Sequence, residues 1–137
     1  MGGDAGKDLS KESIKDLMIR YFEVYNTGDW IKVGSEFYSQ DVVFENPELK
    51  FTGRETVVGF LDKSHRKVKE TLTPLGIITD NDHVAAQVMV ELKILEDVPD
   101  FHIKPVTRAE IYRYEVGVFY EMKRGKIGRL KLYLFLK

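Results

Sequence analysis

Two hydrophobic periodicities divide this chain, and they meet near Pro74. Before it, apolar residues recur at helical spacing; after it they alternate or run β-branched. A chain built this way stacks helices against a separately formed sheet, which is the α+β class. Ser10 is placed to cap a long helix whose stripe is Ile14, Leu17, Met18, Tyr21, Phe22, Val24 and Tyr25. Asn26-Thr27-Gly28-Asp29 ends it, glycine supplying the left-handed position and aspartate a cap for the next helix. That short second helix is expected over about Trp30 to Phe37. Next comes a brief strand, Val42-Val43-Phe44, closed by Asn46-Pro47 because proline has no N–H for the ladder. Thr52-Gly53-Arg54-Glu55 has the form of a capping box opening a third helix, which reaches about Lys69.

The second half reads as a meander of four strands: Leu75–Thr79, Val84–Leu95, Arg108–Glu121 and Ile127–Leu136. Tight turns at 80–83 and 123–126 join two of the pairs, and a loop over Glu96–Val106 joins the middle strands. Residues 1–9 read as a flexible lead and 10–137 as a single domain, since 137 residues hold one core and not two. A sheet curled around the long first helix leaves a concave space suited to a ligand. In that case the loop over 96–106 is either a lid or a mere connector.

Composition removes several function classes. The net charge is −1, from 21 basic and 22 acidic residues, so no excess field draws nucleic acid or an anionic membrane. The basic run His65-Arg66-Lys67-Val68-Lys69 has no interleaved aromatics and reads as a solvated helix face. There is no cysteine, hence no disulfide, thiolate metal site or cysteine nucleophile. No run approaches the roughly 18 apolar residues of a membrane helix, and the polar start lacks a signal peptide's apolar core. A cytoplasmic location is the expectation. His65, His83 and His102 sit in separate segments, so no metal is expected, and without a phosphate-cradling loop no cofactor either.

Strand alternation assigns faces. Ala86, Val88, Val90, Leu92 and Ile94 share one face of their strand, and Leu130, Leu132, Leu134 and Leu136 one face of the last. Both point inward. The strand between them has two rich faces: Tyr112, Tyr114, Val116, Val118 and Tyr120 on one, Ile111, Arg113, Glu115, Gly117 and Phe119 on the other. Either the tyrosine face is core, or it meets a second subunit and Arg113 and Glu115 enter the cavity.

RYFEVYNTGDW, FENPELKFTGRE and GVFYEMKRGKI together resemble the nuclear transport factor 2-like superfamily over roughly residues 10–136. Within it the chain is similar to steroid Δ-isomerases, SnoaL-like polyketide cyclases and limonene epoxide hydrolases. The resemblance implies a cone-shaped, curved antiparallel sheet wrapped around the N-terminal helix with two further helices. It also implies a deep apolar pocket and a homodimer packed through the sheet. In the isomerases a first-helix tyrosine holds the substrate oxygen, a position matched by Tyr21, whereas their base falls on Asn46 and their second donor on Gly117. The epoxide hydrolases' Tyr-x-Asn pair falls on Phe44 and Asn46, their Arg-x-Asp on Val88 and Val90, and their last aspartate on Leu132. Neither family's charged set survives.

The expectation is therefore a pocket protein for a small apolar molecule of terpenoid, steroid or polyketide-like character. If it is an enzyme, the chemistry is cofactor-free isomerisation, cyclisation or epoxide opening. Glu115 is expected as acid or base, Tyr21 and Asn46 as donors to a substrate oxygen, and Arg113, Phe44, Val88, Val90, Phe119 and Leu132 as lining residues, with His65 a further polar candidate. The competing expectation is a non-catalytic binding or dimerisation module. Each polar candidate also has a purely structural role open to it: a satisfied core tyrosine, a turn asparagine, an exposed Arg113–Glu115 pair.

Overall fold

The computed structural model describes residues 2–99 and 107–134. Helix α1 (Gly2–Thr27) leads to α2 (Trp30–Phe37), strands β1 (Tyr38–Glu45) and β2 (Lys50–Thr52), and helix α3 (Arg54–Ser64). The chain then forms β3 (Val68–Asp80), β4 (His83–Ile94), β5 (Ile111–Lys123) and β6 (Lys126–Leu134). These strands make one open, curved sheet in the order β2-β1-β6-β5-β4-β3. All pairings are antiparallel except β1 with β6. The α+β class holds, and the sheet is mixed because β1, arriving from the helical half, lies alongside the last strand.

Local chemistry explains the helix boundaries. Gly28, at φ +78°, donates its N–H to the Tyr25 carbonyl at 3.1 Å and ends α1 in a conformation glycine adopts without strain. Asp29 then caps α2, its side chain accepting from the Lys32 N–H at 3.1 Å. Three expectations are corrected here. The α1 backbone is helical from Gly2, so Ser10 lies inside the helix. The capping box does not form, because Thr52 ends β2 and Gly53, at φ +100°, stands at the N-cap. The third helix stops at Ser64, and β3 begins at Val68 and runs through Pro74. Proline is tolerated there because β3 is the outermost strand and its register slips between Pro74 and Gly76.

The core lies between α1 and the concave face of the sheet. Met18, Tyr21, Phe22 and Tyr25 are buried with alternate residues of β4 from Val84 to Ile94, and with Val116, Val118, Tyr120, Ile127 and Leu130. Strand pairing decides the ambiguous strand. Tyr114 pairs with Val90, Val116 with Val88 and Val118 with Ala86, and directly opposed residues share a face. The tyrosine face of β5 therefore turns inward with the aliphatic face of β4, which corrects the alternative that it meets a second subunit. Residues 100–106 of the loop expected over Glu96–Val106, with His102 and Leu136, lie outside the described residues. Among those described, no helix is long and apolar enough to cross a membrane.

Candidate functional site

A cavity of about 380 Å³ opens between α1, α3 and the concave face of the sheet. Its wall is mostly hydrocarbon: Val88, Val90 and Leu92 from β4, Val116 and Val118 from β5, Leu130 and Leu132 from β6, with Phe44 and Phe60. Burial of that wall follows from the period-two alternation of β4, β5 and β6. Polar groups enter from α1 (Tyr21 and Tyr25), from β1 and the turn after it (Tyr38, Asn46 and Glu48), from the end of α3 (Ser64 and His65), from β3 (Glu70) and from β5 (Tyr114 and Tyr120).

Glu70 is held tightly. Its Oε1 accepts the Tyr25 hydroxyl at 2.5 Å and meets His65 Nε2 at 2.8 Å. The other ring nitrogen of His65, Nδ1, lies 2.6 Å from the Leu61 carbonyl oxygen. The side chains of His65 and Glu70 are only 13% and 16% exposed, so this is an interior ion pair. Trp30 lies against the imidazole at 4.5 Å between ring centroids, and Tyr25 meets it edge-on at 6.1 Å.

A carbonyl only accepts, so the Nδ1 of His65 carries hydrogen; where Glu70 is ionised it also only accepts, and Nε2 then carries one too. In that state the pair is an imidazolium beside a carboxylate, neutral as a whole. Burial alone pushes the His65 pKa down, but the hydrogen bond and charge of Glu70, with the Leu61 carbonyl, outweigh it and hold the value above the ordinary 6.5. Burial, then the Glu70 charge, drives the Tyr25 phenol far above its usual range, so it remains a neutral donor.

Tyr21 bonds Tyr38 hydroxyl to hydroxyl at 2.8 Å, and burial keeps both phenols protonated. Asn46 uses Oδ1 to accept the Glu48 and Leu49 amides at 2.9 and 2.7 Å, which builds the turn at Pro47 and leaves Nδ2 as its side-chain donor. Tyr21, Asn46, Phe44, Val88, Val90 and Leu132 thus all line the cavity.

Arg113, Glu115 and Phe119 do not. They project from the opposite face of β5, where Arg113 pairs with Glu91 at 2.9 Å and Glu115 accepts from Gln87 at 2.9 Å. Phe119 is 56% exposed and packs on Tyr133 at 5.5 Å. The expectation that Glu115 acts within the pocket is corrected by the inward turn of the tyrosine face, which forces its neighbours outward. His65, read as solvated, is interior. The sequence reading missed Glu70 altogether, together with Tyr25, Tyr38, Tyr114 and Tyr120 as lining residues. A signal was present: Val68, Glu70 and Leu72 alternate in register, so a strand starting at Val68 turns Glu70 inward. Among the described residues no group of three His, Asp or Glu is gathered to hold a metal ion.

Comparison with known proteins agrees with this architecture. The family profile described as a SnoaL-like domain matches residues 18–130. A candidate polyketide cyclase from Xanthomonas campestris pv. campestris superposes with a TM-score of 0.79 at 21% identity, covering 91% of this chain and 92% of that one. Another from Silicibacter sp. TM1040 gives 0.76 at 27% identity, covering 89% and 88%. An LEH-like epoxide hydrolase from M. tuberculosis gives 0.68 at 16% identity, covering 86% and 79%. No curated protein sequence matches significantly.

Proposed function

For a chain that belongs to the SnoaL-like domain family, in a fold it shares with proteins named as cyclases, isomerases and epoxide hydrolases, we propose a small-molecule role centred on the cavity. The chain binds an uncharged, largely apolar molecule bearing an oxygen function, and acts on it by proton transfer without a cofactor. The observation that carries this reading is a 380 Å³ cavity with a mostly hydrocarbon wall that holds the His65–Glu70 pair. That volume falls within the range of small-ligand sites. Among the described residues its lining contains no lysine or arginine, so a carboxylate or phosphate would enter without a counter-charge. Tyr21 and the Asn46 amide are the donors placed to hold a ligand oxygen.

A thermal-shift series tests this with 2-decalone and with the corresponding decalin carboxylate. The neutral ketone is expected to raise the Tm saturably, because a ligand that binds only the native state stabilises it by mass action. The carboxylate should not. No shift with either compound contradicts the reading.

One observation favours the non-catalytic alternative. Val88, Val90 and Leu132, where the resembled epoxide hydrolases carry charge, are aliphatic and face the cavity. On that reading ligands bind and nothing turns over. Under either reading two copies meet through the outer sheet face, where the half-exposed Phe119 and Tyr133 meet edge-on. Native mass spectrometry is expected to give twice 15.9 kDa, and a monomer from Phe119→Asp. A wild-type monomer contradicts the pairing.

A further inference from the structure

Resting on the cavity reading above, we infer that Glu70 is the group that takes and returns the ligand's proton, with His65 as its charge-balancing partner and Tyr25 as a positioning residue. Three observations meet at this carboxylate. It lines a cavity whose wall is mostly apolar, with Glu48 the other carboxylate on it. Its Oε1 is fixed by two donors from different elements, Tyr25 on α1 and His65 just after α3, so its orientation is set before any ligand arrives. It is also paired with an imidazole that lies against Trp30 and donates to the Leu61 carbonyl, leaving that ring no freedom to swing away.

The charge arithmetic suits proton abstraction from a neutral molecule. With His65 protonated and Glu70 ionised, the pair is neutral as a whole before the step. In the step the C–H bond of the ligand breaks, its proton passes to the Glu70 carboxylate, and the electron pair stays on the ligand. The pair then carries one positive charge directly beside the negative charge it has created, in surroundings where such compensation is strong. Returning the proton to a second atom of the same ligand completes an isomerisation with no oxidant, reductant or co-reactant. The other groups around the pair are Tyr114 and Tyr120 from β5 and Tyr38 from β1, all phenols kept neutral by burial, and Lys69, whose ammonium is turned to the Asn26 carbonyl.

The probe that isolates this step is 5-nitrobenzisoxazole. Removal of its ring C–H proton forms the nitrile, cleaves the N–O bond and releases a coloured phenolate, so a base in an apolar cavity is read out without knowledge of the native substrate. The full-length protein is expected to accelerate the reaction saturably and to be inhibited competitively by 2-decalone. Glu70→Gln should lower the rate on the order of 100-fold with little change in KM. His65→Gln should lower it less and erase a second step in the pH–rate profile, which in the wild type lies above about pH 6.5 where the imidazolium loses its proton. Tyr25→Phe, which keeps the ring packing, should raise KM and lower kcat modestly. Wild-type turnover by Glu70→Gln, in protein of unchanged Tm and unchanged 2-decalone binding, overturns the assignment and leaves the cavity reading intact. So does saturable binding by the wild type with no acceleration. Failure of both compounds to bind overturns the cavity reading and the assignment together.

Discussion

Glu70 and Glu115 are both strand carboxylates that accept hydrogen bonds from neighbouring side chains, and they stand on opposite faces of one sheet. Glu70, on the edge strand, is drawn into a cavity and locked between a phenol and an imidazolium. Glu115, on a central strand, is exposed and accepts from a glutamine. The difference shows that position in a sheet says little about function until the face is known. The pairing of Tyr114 with Val90 turns Glu115 outward, and the pairing of Glu70 with Leu92 turns Glu70 inward.

The sharpest way to break the comparison is to make the same substitution on both faces. With 5-nitrobenzisoxazole, Glu70→Gln is expected to lose activity on the order of 100-fold while Glu115→Gln stays within about twofold of the wild type. Equal losses would erase the distinction. A smaller effect separates adjacent residues on β6. Leu132 faces the cavity and Tyr133 the outside, so Leu132→Trp should fill part of the space and weaken 2-decalone binding at least about tenfold, near 1.4 kcal/mol, with Tyr133→Trp neutral. Titration calorimetry reads both.

The smallest effect is in stability against pH. His65 has a folded-state pKa raised above its unfolded value, so its contribution is full below about pH 6.5 and is lost as pH rises through the folded pKa. The wild type should therefore lose more Tm than His65→Gln between about pH 6 and pH 9. Parallel losses in the two proteins would mean that the pair is not ionised as described.

Much of the fold was legible in the amino-acid order. Gly28 and Asp29 marked the break between the first two helices, and the tight β5–β6 turn, with Arg124 at φ 52° and Gly125 at φ 78°, fell where Lys123-Arg124-Gly125-Lys126 placed it. Val88, Val90 and Leu132 were recognisable as cavity wall from alternation. The site's polar end was not legible, for one physical reason. Helical spacing extends the third helix to about Lys69 and alternation starts the next strand at Leu75, yet an edge strand with a bulge accommodates Pro74 and the sheet begins at Val68. That single misreading turned His65 to solvent and hid Glu70. Arg113 and Glu115 are the charges of a strand with two rich faces, and the inward turn of Tyr114 and Val116 leaves both on the outer face.

The central claim is that ligand chemistry belongs to the concave face at Glu70 and His65. Its most direct test is an NMR titration of the labelled protein with 2-decalone, tracking the imidazole of His65, the methyls of Val88, Val90 and Leu132, and the ring of Phe119. The account predicts that the His65 ring and the three methyl-bearing residues shift together on one saturation curve while Phe119 stays still. Movement of Phe119 with silence at His65 and Val88 would place the ligand on the outer face and contradict it.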